Sequence, residues 1–338
     1  MKKVVKYVIA AVAFFVFVQF WGYFRDAKLP NFTSRADVYV TDTTTIDGVI
    51  AQIKEQGGIR FEKALRKVFE RKRVSEFMTP GYYKIEPSYS SVYVARMLNN
   101  AWQAPVKITL SGSLRLKSEV ASRIGRKILL DSAAIHRALN DDAFLKKYGF
   151  NSRTVYAMII PDTYEIYWDA TLDDLFSLFK REYDKFWTKE RLDKAASLKL
   201  SPMDVSIVAS IVRCESNYVP EYPDLAGVYL NRLKRGMRLQ ACPTVAFCYD
   251  FKLTRVLNKH LKVDSPYNTY THGGLPPGPI CCPTKAALDA VLNANLSSGY
   301  LYFCASTQTP GRHLFAKTYK EHSRNAKTYQ QQVLDKKQ

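Results

Sequence analysis

Glu215 is the side chain of this protein best placed to do chemistry, because it is a carboxylate on the apolar face of a predicted helix. The helix is expected to begin at Ser201, a favourable N-cap that is followed by a proline. Val208, Ile211 and Val212 recur at helical spacing and form one apolar stripe. Glu215 lies four and three residues beyond the last two of them, so it continues the same stripe.

A carboxylate that faces an apolar interior is expected to have a raised pKa, because loss of water disfavours its charged form. A raised pKa is what a general acid needs in order to hold its proton near neutral pH. The nearby Arg213 points to another side of the helix and is not expected to neutralise Glu215. The alternative is a glutamate at a frayed helix end, whose side chain reaches water.

Several weaker candidates follow Glu215 in the chain. Tyr267, Asn268 and Tyr270 lie in a long irregular loop, and they could either line a groove for a sugar or pack that loop. Asn231 and Arg232 lie on the next predicted helix, where the guanidinium could bind a carboxylate or form a structural ion pair. The 5 histidines show no ligand spacing, so we expect neither a metal site nor another cofactor.

The N-terminal sequence predicts an uncleaved membrane anchor. An apolar run covers residues 7–24, and about 20 such residues span a bilayer core. Its far end lacks the small-residue site of a cleaved signal peptide. Lys2, Lys3 and Lys6 precede the run, so the N-terminus is expected in the cytoplasm and the rest of the chain beyond the membrane.

The charge of the chain has to be interpreted together with this anchor. The formal net charge is +19, from 50 lysines and arginines against 31 aspartates and glutamates, which would suggest nucleic acid for an intracellular protein. Outside the cytoplasm, a basic surface is more typical of a protein that meets anionic lipid or an anionic cell-wall polymer. We therefore expect no nucleic-acid partner.

The pattern of elements predicts an α+β fold in several parts. Residues 1–27 form the cytoplasmic N-terminus and transmembrane anchor, and residues 36–105 read as a small α+β module with the order strand, helix, helix, strand. Residues 106–200 form a connecting α/β region, in which residues 157–164 are expected to be a buried strand ending in a turn. Residues 201–338 form a mixed α/β region that contains Glu215.

All 6 cysteines lie in that last region, and the sequence leaves their state open. The compartment expected from the anchor permits disulfides, and their spacing matches no zinc pattern. Six cysteines allow 15 pairings, between which the sequence does not choose, and free buried thiols are an equal alternative.

In this order, the pieces resemble the YceG-like (MltG) endolytic murein transglycosylases, over nearly the whole chain. The resemblance includes the anchor, a module similar to LysM around Pro80-Gly81-Tyr82-Tyr83, and the element Ile160-Pro161-Asp162-Thr163-Tyr164. The remaining matching motifs are Ala209-Ser210-Ile211-Val212-x-x-Glu215, Asn231-Arg232-Leu233, Gly236-Met237-x-Leu239-Gln240, Pro243-Thr244-Val245, Tyr267-Asn268-Thr269-Tyr270, Gly274-Leu275-Pro276-Pro277-Gly278-Pro279-Ile280, Tyr300-Leu301-Tyr302-Phe303 and His313-x-Phe315.

The resemblance implies that Glu215 is the catalytic residue, and that Asn231, Arg232, Tyr267, Asn268, Tyr270 and His313 are candidates for substrate binding. It implies non-hydrolytic cleavage of the bond from N-acetylmuramic acid (MurNAc) to N-acetylglucosamine (GlcNAc), with one glutamate serving as acid and then as base. The product is a 1,6-anhydro-MurNAc end, which limits the length of nascent strands near the cell-wall synthases. Arg213 and Cys242 depart from the family pattern, which commonly has acidic residues at both positions.

Two other functions remain open at this stage. One is a non-catalytic peptidoglycan-binding scaffold, in which the LysM-like module does the binding. The other is a muramidase with two carboxylates, since ordinary glycosidases use a pair. In that case Glu215 would act with Glu221 or Asp264.

Overall fold

The protein has a mixed α+β architecture, which confirms the predicted fold class. The computed structural model describes residues 2–335. The helices are α1 (Lys2–Lys28), α2 (Ile46–Gln56), α3 (Glu62–Arg71), α4 (Val74–Phe77), α5 (Ser91–Asn99), α6 (Lys117–Gly125), α7 (Ser132–Ala138), α8 (Asp142–Lys146), α9 (Val155–Met158), α10 (Leu172–Phe186), α11 (Lys189–Ser197), α12 (Pro202–Glu215), α13 (Tyr222–Lys234), α14 (Cys242–Cys248), α15 (Lys285–Leu292) and α16 (Tyr319–Asp335). The strands are β1 (Ala36–Val40), β2 (Gly81–Ile85), β3 (Val106–Thr109), β4 (Thr163–Ile166), β5 (Tyr302–Ala305) and β6 (His313–Ala316).

The chain divides into two compact units. The first contains the chain up to Lys107 together with Lys127–Leu129 and Glu165–Ala170, and the second contains the remainder. In the first unit, β1 and β2 pair antiparallel with Val38 opposite Tyr83. Helices α2, α3 and α5 bury their apolar faces in the core of this unit.

Helix α1 is long and apolar enough to cross a membrane. Its span Lys3–Lys28 has a mean hydropathy of 2.0, and no part of the window is buried. At about 1.5 Å per residue its 27 residues exceed the thickness of a bilayer core. This agrees with the predicted anchor.

The strand predicted over residues 157–164 is wrong. Residues Val155–Met158 form the short helix α9, and β4 begins only at Thr163. Every residue of α9 is buried. A short run that is apolar on all sides does not distinguish a buried helix from a buried strand, so the residue pattern left the choice to the tertiary packing.

Helix α12 is the central element of the second unit, and its bounds agree with the predicted helix. Ser201 and Asp204 form a capping box, in which each side chain accepts a hydrogen bond from the backbone NH of the other. Residues 205–212 are all buried, so the helix lies inside the unit rather than on its surface. It packs against α9, α11, α13, α14 and α15.

Loops of the second unit are attached to α12 and α13 by specific contacts. Ser210 accepts a hydrogen bond of 3.0 Å from the backbone NH of Ile280, which fixes the proline-rich loop against α12. Gly227 on α13 packs directly on the backbone of Asn295, since an added Cβ would lie 2.6 Å from its carbonyl oxygen. These contacts join segments about 70 residues apart in the chain.

Replacing Gly227 with alanine should destabilise the protein, although alanine favours a helix more than glycine does. The added methyl group meets backbone that cannot rotate away, so we expect the free energy of unfolding to fall by about 2 kcal/mol. Gly48→Ala in α2 is the matched control, because its nearest neighbours lie 3.6 Å and 3.7 Å from the added Cβ. That variant should gain about 0.5–1 kcal/mol. Chemical denaturation measures both, and an increase in stability for Gly227→Ala would contradict the packing described.

Candidate active site

Glu215 is the last residue of α12, and its carboxylate is hydrogen bonded to a tyrosine of α13. The Tyr229 hydroxyl donates to Glu215 Oε1 over 2.5 Å. Tyr229 is buried, whereas Glu215 is partly exposed. The carboxylate is thus held from the protein side, at a residue that is only partly covered from solvent.

The environment of Glu215 favours its protonated form. Burial raises the pKa of this carboxyl group to about 7, against an ordinary value of 4.5. The hydrogen bond from Tyr229 stabilises the carboxylate and opposes this increase, but its effect is smaller. The raised pKa expected from the helix pattern is therefore present, and Glu215 holds its proton over most of the acid range up to neutrality.

Cys242 and Tyr270 lie close to the Glu215 carboxylate. The Cys242 Sγ and the Tyr270 hydroxyl are 3.1 Å apart. Burial raises the pKa of both groups, and the negative charge of Glu215 raises each of them further. One of the loop tyrosines predicted to line a sugar groove is thus placed beside the carboxylate, together with the thiol that departs from the family pattern.

Arg213 is directed away from Glu215. Its Nη1 donates to Asn217 Oδ1 over 2.8 Å and to the backbone carbonyl of Ser216 over 3.4 Å. Its charge makes no contribution to the pKa of Glu215. This agrees with the side of the helix assigned to it from the sequence.

Other predicted residues fix loops rather than face the carboxylate. Asn268 is fully buried and donates to the carbonyls of Leu261 and Val263. Tyr267 packs against Phe247, with ring centroids 4.6 Å apart. In the described structure neither side chain is hydrogen bonded to Glu215, and both contribute to the packing of this loop.

His313 belongs to a separate pair with Glu221. Its backbone NH and its Nδ1 lie 3.0 Å from the two oxygens of the buried Glu221 carboxylate. Asp264, the other proposed second carboxylate, is exposed. No acidic residue of the described part of the chain shifts the pKa of Glu215. Among the described residues, Glu215 is therefore a carboxylate whose pKa no second carboxylate influences.

Arg232 is buried, and its hydrogen bonds go to neutral acceptors. Nε donates to the Leu301 carbonyl over 2.6 Å, and Nη1 donates to the Leu239 carbonyl over 2.9 Å. The guanidinium also lies 5.1 Å from the ring centre of Tyr302. Asn231 next to it donates to the Tyr300 carbonyl over 3.2 Å. The structural ion pair considered from the sequence is therefore wrong, since carbonyl groups and an aromatic ring take the place of a carboxylate.

The cysteines are free, and two of them lie near the end of α12. Cys214 Sγ and Cys281 Sγ are 3.4 Å apart, in hydrogen-bonding rather than covalent contact. Within residues 2–335, no group of histidine, cysteine and acidic side chains is arranged to hold a metal ion.

Tyr229, the direct hydrogen-bond partner of the Glu215 carboxylate among residues 2–335, was not predicted from the sequence. Tyr222, Leu225, Ala226 and Tyr229 lie on one face of α13 and are all buried. A buried tyrosine on such a face needs a partner for its hydroxyl group. That signal indicates a hydrogen bond but not which residue accepts it.

Comparison with known proteins gives a consistent result. The model of the YceG-like family matches residues 38–328. An endolytic murein transglycosylase of Bacillus subtilis is 25% identical over 308 residues, which cover 87% of this chain and 84% of that protein. One of Streptococcus pneumoniae is 24% identical, with 94% of this chain and 64% of that protein covered. The crystal structure of a YceG-like protein from Listeria monocytogenes has a TM-score of 0.57 and 23% identity over 86% of this chain and 98% of that one, which shows a shared fold.

Glu215→Gln should increase stability at alkaline pH and leave it nearly unchanged at acid pH. Because the pKa of Glu215 is raised in the folded state, the unfolded chain binds fewer protons than the folded chain between about pH 4.5 and 7. The stability of the wild type therefore falls as the pH rises through this window, by up to about 3 kcal/mol. Glutamine keeps the shape and the acceptor for Tyr229 without the charge.

Chemical unfolding of both proteins at about pH 4 and about pH 8 measures this difference. The matched control is Glu190→Gln, which removes an exposed carboxylate from α11 and should show no such gain. An equal effect of Glu215→Gln at the two pH values would mean that the carboxylate is solvated.

Proposed function

This chain belongs to the YceG-like family, and from that premise we propose that it is an endolytic murein transglycosylase, a lyase that acts on peptidoglycan glycan strands. The observation that supports the proposal most directly is the Glu215–Tyr229 pair, a carboxyl group that is protonated near neutral pH and reachable from solvent. Both curated relatives carry this activity in their names.

In the proposed mechanism, Glu215 acts first as an acid and then as a base. Its carboxyl proton passes to the oxygen that links MurNAc to GlcNAc, and the bond from C1 to that oxygen breaks. The resulting carboxylate then takes the proton of the muramic C6 hydroxyl, whose oxygen closes onto C1. The GlcNAc side leaves with its own hydroxyl, the other side keeps a 1,6-anhydro ring, and Glu215 ends protonated, so no water is consumed.

Tyr229 is placed to support the second proton transfer of this mechanism. Its hydroxyl donates to the same carboxylate oxygen throughout, so it stabilises the charge that Glu215 acquires after the first proton transfer. Burial raises the pKa of Tyr229 well above its usual value, so this hydroxyl stays a donor. The pair thus lets Glu215 hold a proton near neutral pH, while the hydrogen bond from Tyr229 limits the free-energy cost of the carboxylate form.

The remaining candidates take supporting parts in the proposal. Tyr270, beside the carboxylate, is proposed to contact the sugar, and Tyr267 to line the path of the strand. Asn231, Arg232, Asn268 and His313 hold the surrounding loops, and we assign them to positioning the binding region. The chemistry requires no cofactor.

The muramidase and the scaffold are the competing functions. A hydrolytic mechanism requires a second carboxylate, but Glu221 is engaged by His313. A non-catalytic scaffold gains nothing from a carboxylate whose desolvation lowers the free energy of unfolding. We retain the LysM-like module in residues 36–105, and the division between residues 106–200 and 201–338, as proposals.

The site of action follows from α1. We propose that this helix is a single-pass anchor in the inner membrane, with the N-terminus in the cytoplasm and the body in the periplasm, where peptidoglycan lies. In that position the protein would meet nascent strands as they leave the cell-wall synthases, which are its proposed partners.

Glu215→Gln should abolish the formation of 1,6-anhydro ends from purified glycan strands, because an amide neither donates the proton nor accepts one. Mass spectrometry of the products also identifies the reaction, since hydrolysis adds one water molecule and transglycosylation adds none. Asp264→Asn is the matched control and should retain near wild-type activity, as an exposed carboxylate outside the mechanism. Anhydro ends made by Glu215→Gln at near wild-type rate would refute the assignment, and a loss in Asp264→Asn would favour the two-carboxylate muramidase.

The rate of cleavage should fall as the pH rises through about 7, since the reacting form of Glu215 carries its proton. Arg213→Glu should move this alkaline limb upwards by less than roughly one pH unit, an effect on the order of 1.4 kcal/mol or less. The arginine is bonded to the loop after α12, not to the carboxylate. Initial rates between about pH 4 and about pH 9 give both values, and a shift of about two units would mean that Arg213 contacts Glu215 in solution.

A further inference from the structure

The second unit contains a cavity of about 640 Å³ whose function is not explained by the Glu215–Tyr229 pair. One wall is cationic, with Arg115, Lys117, Arg153 and Lys252 among its lining residues. The apolar part of the lining consists of aromatic and proline side chains, including Tyr156, Phe247, Tyr267 and Pro279. A cavity of this volume is within the range of organic ligand sites and much larger than a single inorganic anion requires.

The cationic wall has an excess of positive charge over its acidic neighbours. Asp250 lines the same cavity, but it is already paired with Lys252 over 3.0 Å. Among the described residues, Arg115, Lys117 and Arg153 form no ion pair with an acidic side chain. Three cations without carboxylate partners thus face one concave space.

Two of these cations are held in a state that a bound anion would improve. The Nε of Arg115 is buried and has no hydrogen-bond partner in the described structure. Burial lowers the pKa of Lys117 to about 8, because its ammonium group has lost part of its water. Its one hydrogen-bond acceptor in the described structure is the neutral amide oxygen of Asn140, at 2.8 Å. Asp142 offsets this only in part, and its own carboxylate accepts a hydrogen bond from the backbone of Ser152. A buried donor without a partner is costly, so Arg115 Nε indicates a missing ligand.

The cavity is connected to the catalytic helix. The hydrogen-bonding contact between Cys214 and Cys281 is the main influence that lowers the pKa of Cys214, and the positive charge of Arg115 lowers it further. Cys214 directly precedes Glu215, so Arg115 lies within electrostatic reach of the end of α12. The loop that contains Pro279 is held against the same helix by the hydrogen bond of Ser210 with Ile280. Gly278 allows this loop to approach the backbone of Arg153, where an added Cβ would lie 2.1 Å from the carbonyl oxygen.

We propose that this cationic cavity binds the peptide stem of the murein strand through the free carboxylates of the stem. The inference rests on the proposed function, which supplies the substrate. Murein carries its carboxylates on short peptides attached to the muramic residues, within a few bonds of the sugar whose glycosidic bond Glu215 is proposed to cleave. The cations suit those carboxylates, and the aromatic and proline wall suits the aliphatic parts of the stem.

The first experiment compares two substrates with the full-length protein in detergent. One is intact glycan strand, and the other is the same strand stripped of its stems by an amidase. Arg153→Gln and Lys117→Gln should each lower the ratio of kcat/KM for intact over stripped strands by about tenfold, since each removes one charge-assisted hydrogen bond. Arg153→Lys should keep most of the ratio. Lys320→Gln, which removes an exposed charge on α16, is the matched control and should leave it unchanged.

The outcomes separate this inference from the proposed function. If wild-type protein makes anhydro ends from neither substrate, the proposed function fails. If it cleaves both, but Arg153→Gln and Lys117→Gln leave the ratio unchanged, the stem subsite is refuted while the proposed function stands. A uniform loss on both substrates with a lowered melting temperature would also refute it, because the residues would then be structural.

A binding measurement supports the same conclusion without turnover. Full-length Glu215→Gln is titrated by calorimetry with a synthetic stem peptide, with the same peptide fully amidated at its carboxylates, and with inorganic phosphate. We expect the free peptide to bind to Glu215→Gln. The amidated peptide should bind to that protein about tenfold more weakly, and the free peptide should bind to the double variant Glu215→Gln/Arg153→Gln about tenfold more weakly. Binding of phosphate without the peptide would identify a phosphate site and overturn the proposal, as would equal binding of the two peptides.

Discussion

The structure depends on the removal of one carboxylate from water at the end of a buried helix. The position of Glu215 is set by the capping box at Ser201, which fixes where α12 begins, and by the extended backbone of Ser216, where the helix ends. A negative charge at the C-terminal end of a helix meets the partial negative charge of the free carbonyls, which adds to the effect of burial. Both effects favour the neutral acid, and the Tyr229 hydroxyl limits how far they go. The rest of the second unit maintains these conditions around a single side chain.

Arg232 shows how a buried charge is accommodated near this site without a counter-ion. Its donors meet the carbonyls of Leu239 and Leu301, so it joins α13 to the loop that follows it and to a segment 69 residues away in the chain. A carboxylate partner at this point would have placed a second negative charge in the region of Tyr229 and Tyr270, whose pKa values the arginine acts to lower. Neutral acceptors therefore preserve the single-carboxylate character of the site. Such an arrangement depends on the positions of the loops that supply these carbonyl groups.

The sequence predicted those features that depend on local spacing. The bounds of α12, the stripe of Val208, Ile211 and Val212, and the desolvation of Glu215 all follow from helical periodicity and capping. The contact with Tyr229 did not follow, because it depends on how two helices are oriented across the loop between them. Likewise, one acceptor of Arg232, the Leu301 carbonyl, lies 69 residues from it in the chain, beyond the reach of any short-range pattern. The error at residues 157–164 has the same origin, since an all-apolar segment takes its conformation from its neighbours.

The attachment of Ser210 to Ile280, across 70 residues, has a consequence for how activity arises in time. Helix α12 can form early from local interactions, but its carboxylate becomes a neutral-pH acid only when the later segments have closed around it. Contacts of such sequence separation form late in folding, because the chain must first lose the entropy of a long loop. In the proposed topology, a body that crosses the membrane unfolded carries an ordinary, ionised glutamate during transit. The ability to cleave the substrate therefore appears only when folding is complete, so cleavage is restricted to the fully folded protein.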